Sequence, residues 1–169
     1  MGLLAARQNI HMDCGILGSS DLDQASPLAA RLQTDFLLPL IYPVVRDGKI
    51  KAKFLQKRLD KCAKESGDYV KAFLKMFGEA RPYVTMQSCK NQFYSDLITP
   101  LPDKIHVPGT EIHIFYALKM GAKYRARYQQ HFAHPVLHEQ NLQHEELLAC
   151  HPEQWAHAVL AAMMTIFTH

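Results

Sequence analysis

No apolar run in this 169-residue sequence reaches the roughly 18 residues needed to cross a bilayer, which excludes a spanning helix. The stretch from Met1 to Ala6 is too short for a secretory leader with a cleavage site, so the expected location is the cytoplasm. Cysteine is sparse. Cys14, Cys62, Cys89 and Cys150 lie far apart with no CxxC pair, which argues against a disulfide framework or a zinc knuckle and for reduced, buried thiols. Glycine (8) and proline (9) stay near ordinary usage, which excludes collagen-like and low-complexity classes. What remains is a globular composition, with 48% apolar and 21% charged residues, long enough for a hydrophobic core.

The net charge of +3 conceals an asymmetry, because Arg46 to Arg81 holds eleven Lys or Arg against five acids, while the rest holds eight against eleven. Clustered cations are what phosphate binding requires. Here, however, the cations alternate with Phe54, Leu55, Leu59 and Cys62 at helical spacing, the pattern of the wet face of an amphipathic helix. No nucleic-acid partner is expected.

Ile10, Met12, Cys14, Ile16 and Leu17 form an apolar segment ending at Gly18, which reads as a largely buried strand. Ser26 followed by Pro27 marks a helix start, and Leu28, Leu32, Phe36 and Leu37 give a stripe that Pro39 and Pro43 should cut short. Two further helices follow, one up to Ser66-Gly67 and one from Asp68 to Gly78 through Val70, Phe73, Leu74 and Phe77. Another carries Phe93, Tyr94, Leu97 and Ile98 and ends before Pro100. Beyond Pro108-Gly109 the pattern changes to strand at Ile112–Ala117, helix through Tyr124, Tyr128 and Phe132, strand near Pro135–Glu139, and a last helix restarting at Pro152. Alternating strand and helix predicts an α/β fold with a parallel sheet of about three strands, joined by the early strand. Parallel strands require cover on both faces, so such a sheet looks incomplete.

Ten histidines are present, and His131, His134, His138, His144 and His151 fall within 21 residues. Their spacing lacks the one-turn pair of a zinc hydrolase, so neither a metal nor a cofactor is expected. His144 is the informative one. It stands in a loop after a strand and before a helix, where open α/β sheets gather their catalytic groups, and an imidazole suits proton transfer near neutral pH.

The run from Ile112 to Trp155, with Phe-Tyr-Ala at a strand end, Lys119-Met120-Gly121, a Tyr-rich helix, Gln143-His144-Glu145-Glu146-Leu147-Leu148 and His151-Pro152-Glu153-Gln154-Trp155, resembles the C-terminal end of the α/β-hydrolase superfamily. The resemblance implies an α/β-hydrolase-like core made of residues 1–20 and 100–169, with residues 21–99 inserted as a helical lid. It implies His144 as the catalytic base of a serine ester or acyl hydrolase, acting on a small-molecule ester or acyl substrate. Phe36, Tyr42, Phe73 and Phe93 would wall an apolar pocket. The Gly-x-Ser-x-Gly elbow of that family is absent, and Gly18-Ser19-Ser20 lacks the small residue that a strained elbow needs. No carboxylate follows the penultimate strand; some members of that family place the acid after the preceding strand, and the resemblance then implies Asp21 or Asp23 as the group that orients the imidazole, the alternative being simple turn residues. The implied protein is a hydrolase portion inactive by itself, completed by a missing N-terminal half. The competing expectation is a non-catalytic interaction module that forms a homodimer or pairs with another chain through an exposed sheet edge.

Overall fold

A computed structural model describes residues 12–20, 22–48 and 53–166. The chain divides into two compact units, one comprising the described residues of Met1–Leu22 and Leu101–His169, the other those of Asp23–Pro100. Among the described residues no helix is long and apolar enough to cross a membrane.

The first unit is built on a parallel sheet of three strands in the order β1-β2-β3: β1 (Cys14–Leu17), β2 (Glu111–Ala117) and β3 (Val136–Gln140). Gly15 pairs with Ile112 and Ile114 with Leu137, which fixes the register on both sides of β2. Helix α6 (Ala122–His131) connects β2 to β3, and α7 (Glu146–Cys150) and α8 (Pro152–Ile166) follow β3. Both edges of β2 are paired and both its faces are covered by packed side chains, and this explains its nearly unbroken apolar sequence. One face packs Ile112, Ile114 and Tyr116 against Tyr128 and Phe132. On the other, Phe115 meets Leu147 and Ala162, with Trp155 and Val159 alongside. Each such side chain taken from water contributes about 1.5–3 kcal/mol. The strand expected from Ile10 begins at Cys14; residues 9–11 lie outside the described residues.

The second unit is helical: α1 (Pro27–Leu32), α2 (Leu38–Asp47), α3 (Lys53–Glu65), α4 (Gly67–Ala80) and α5 (Met86–Ile98). Ser26 caps α1 by accepting from the Ala29 amide, as the Ser-Pro pair predicts. Thr85 and Ser88 form a reciprocal capping box at the start of α5. The two prolines, expected to end the first helix, do not. A π-helical turn at Gln33–Leu37 widens the backbone, the Leu38 amide bonds back to the Gln33 carbonyl, and Pro39 lands in the first turn of α2, where no amide is required. Pro43 sits inside α2, between the buried Tyr42 and the half-buried Val44. The helix therefore runs on to Asp47 and stops at Gly48 in the left-handed conformation.

Candidate active site

The three strands end together at Leu17, Ala117 and Gln140, and the loop after β3 brings His144 back over the end of β1. Three bonds make this closure. The His144 Nδ1 lies 2.7 Å from the Ser19 carbonyl oxygen, the Glu145 amide donates to Ser19 Oγ at 2.7 Å, and Ser19 Oγ donates to Glu145 Oε1 at 3.4 Å. Glu145 adopts φ 56°, ψ 12°, a left-handed conformation that costs a non-glycine residue about 1–2 kcal/mol. The bonds to Ser19 offset that strain. Downstream, Glu146 is buried and its Oε2 accepts from the Gln143 amide at 2.6 Å, which ties the loop to the start of α7.

Glycine at position 18 leaves room for the carboxylate arm of this closure. A Cβ there would stand 2.5 Å from Glu145 Oε1, the far end of a flexible side chain, so a larger residue would displace the carboxylate from Ser19. On the neighbouring strand, Gly121 (φ 101°) turns the chain out of β2 into α6, and the Tyr116 hydroxyl donates to its carbonyl at 2.7 Å.

A carbonyl oxygen only accepts, so the Nδ1 of His144 must carry the proton that faces Ser19. That fixes the neutral tautomer and leaves a lone pair on Nε2, the state a general base needs. Among the described residues Nε2 has no hydrogen-bond partner, and the ring is only half-buried. A carbonyl orients an imidazole but brings no negative charge to stabilise the imidazolium, as a carboxylate would. Of the two aspartates considered for that role, Asp21 lies outside the described residues, and Asp23 belongs to the helical unit.

Ser19 is 4% exposed, and both hydrogen-bonding capacities of its hydroxyl engage Glu145. It works as a clasp. The cavity beside it, between Gly18, Phe115, Gln140, Glu145 and Trp155, measures about 10 Å³, room for one water and not for a substrate. Glu145 and Ser19 as mutual partners were not legible in the sequence, because 126 positions separate them.

The remaining clustered histidines disperse in space. His131 is buried, its Nδ1 3.2 Å from the Pro102 carbonyl oxygen and 3.1 Å from Asp103 Oδ1. His134 stands edge-on to His106. His151 provides the carbonyl that receives the Trp155 amide in α8. His138 joins His113, which the sequence pattern absorbs into a buried strand. Glu111 Oε2 lies 3.1 Å from His113 Nε2, and His113 Nδ1 lies 2.9 Å from His138 Nε2. With Glu111 ionised, His113 donates to it and accepts from His138, so one proton order satisfies the whole chain. Burial, and then the neighbouring His113, push the basicity of His138 below the ordinary value of 6.5. Among the described residues no group of three or more metal-ligating side chains converges. None of the four cysteines is in a disulfide, and all are half-buried.

No family model matches the sequence, and comparison with curated proteins and with solved structures finds no match.

Proposed function

We propose that the sheet unit carries the histidine half of a serine-hydrolase-type acyl-transfer site, without a nucleophile elbow of its own. His144 Nε2 would take the proton of a serine hydroxyl as its oxygen attacks an ester or acyl carbonyl, then return that proton to the leaving group. The observation that carries this reading is the tautomer-locked, partner-free Nε2 at the carboxyl ends of parallel strands. The missing elbow would stand beside β1, which among the described residues pairs only with β2.

Three measurements test the reading. The purified chain should show no turnover of an activated ester above the rate of free imidazole, and no serine should react with a fluorophosphonate. Nitrogen-15 correlation spectra should show His144 as the Nδ1–H tautomer. A labelled serine, or an Nε2–H tautomer at His144, would overturn it.

A second reading, a scaffold that pairs through the outer edge of β1, is favoured by the half-buried Cys14 and Ile16 on that strand. It expects a dimer in sedimentation velocity, and a monomer at high concentration removes it.

A further inference from the structure

The helical unit holds a cavity of its own, and of the four lid aromatics that the resemblance places around an acyl pocket only Phe73 is among the described residues that line it. Helix α3 has thirteen residues, none of them buried. Its stripe at i, i+3, i+4 and i+7 is Leu55, Arg58, Leu59 and Cys62, and all four line a cavity of about 310 Å³ whose other walls come from α2 and α4. An amphipathic helix ordinarily packs such a stripe against its neighbours. Here the stripe borders open space.

The size and the lining specify an occupant. Ligand pockets begin at around 300 Å³, so this one suits a ligand at the small end of the range, on the order of a ten-carbon chain. Ile41, Val44, Phe73 and Phe77 supply hydrocarbon and aromatic walls, which suit an aliphatic tail. Among the described residues the one charge in the lining is Arg58. It is exposed, and it makes no ion pair or side-chain hydrogen bond among the described residues. The rest of α3 adds Lys53, Lys57, Lys61 and Lys64 against Asp60 and Glu65, five cations less two acids, a net +3 on the helix. That field favours an anion at the mouth. A guanidinium fork matches a carboxylate with two parallel hydrogen bonds.

We infer that the helical unit binds a single-chain monocarboxylate of about ten carbons, its tail in the cavity between α2, α3 and α4 and its carboxylate on Arg58. The site lies wholly within the helical unit and does not depend on the role of His144.

The test is calorimetric titration of the full chain with decanoate, below its micelle concentration, and with 1-decanol. Decanoate should bind once per chain, and decanol at least about tenfold more weakly, the contribution of a charge-assisted hydrogen bond. Arg58→Gln should weaken decanoate by a similar factor and leave decanol unchanged. Leu59→Trp, which fills the cavity, should abolish binding of both, with helix content checked by circular dichroism. If that variant does not fold, thiol footprinting of the unaltered chain decides: decanoate should slow maleimide labelling of Cys62 and not of Cys89. No heat together with no protection of Cys62 would overturn the inference. So would equal affinity for decanol and decanoate with Arg58→Gln silent, which would make Arg58 a stem covering apolar wall. A dimer of the ligand-free chain that Leu59→Trp dissociates would assign the cavity to a second copy instead. None of these variants touches the loop at His144, so this inference and the hydrolase reading fail separately.

Discussion

Strand β2 of the sheet unit is buried along six consecutive residues, Ile112 to Ala117, whereas α3 of the helical unit buries none of its thirteen. The cavity at the strand ends measures about 10 Å³, and the one beneath α3 about 310 Å³. The long-range polar bonds differ as well: the sheet unit closes on buried groups such as Ser19 and Tyr128, while in the helical unit the buried Thr34 hydroxyl donates only to the Ala30 carbonyl one turn back. The sheet unit thus supplies its own core, and the helical unit leaves room for something else to complete its packing.

The sharpest break of this contrast is a pair of truncations. Ile114→Ala, at a fully buried site in the central strand, should destabilise by about 2–5 kcal/mol in urea titration. Leu59→Ala, on the wall of the open cavity, should change stability by under about 1 kcal/mol. Equal effects would mean that α3 packs as tightly as β2.

Next in size is the clasp. Ser19→Ala leaves the Glu145 amide without its acceptor and should cost about 1–3 kcal/mol, read in the same titration. The His144 amide resonance should broaden in that variant, because the loop loses the contact that holds Glu145 in its left-handed conformation. Gly18→Ala should cost about 1 kcal/mol by displacing the Glu145 carboxylate from Ser19, a cost within the range of a lost hydrogen bond. In a Glu145→Ala background the Gly18 substitution should become close to neutral, and persistence of the full effect would locate the clash in backbone instead.

The smallest effect is a pH dependence confined to the sheet unit. His138 is less basic in the folded protein than its ordinary value of 6.5. Below that pH the unfolded chain binds more protons than the folded one, so stability falls as the pH drops through this range. His138→Phe, which keeps the stacking on Phe115, should flatten the acid limb measured by thermal unfolding between about pH 7 and pH 5. An unchanged limb would mean that His138 does not set it.

Elements were legible in the sequence where local pattern and packing agree. Both faces of β2 are covered, so Ile112 to Ala117 reads as one apolar run, and Pro152 restarts the last helix at its stated place. The rule that proline ends a helix failed at Pro39 because a π turn repositions the backbone before it, an adjustment that no residue spacing announces, and at Pro43 the helix simply continues through the proline. The position of His144 was legible from strand-loop-helix order. Its partner was not, since the Ser19 carbonyl belongs to a strand 125 positions earlier, and only the sheet register brings the two together. The same holds for His113 and His138, whose pairing requires knowing that β2 and β3 lie side by side. Arg58 was hidden for a different reason: in a helix of lysines, one cation on the apolar stripe resembles the rest of the wet face.

The helical unit begins and ends at one place, for the Ala25 amide donates to the Leu97 carbonyl at 2.8 Å. A detour whose two ends are already pinned together enters and leaves at neighbouring points, as in chains that tolerate inserted domains. Those helices can therefore be lengthened, shortened or exchanged as a cassette within their own unit.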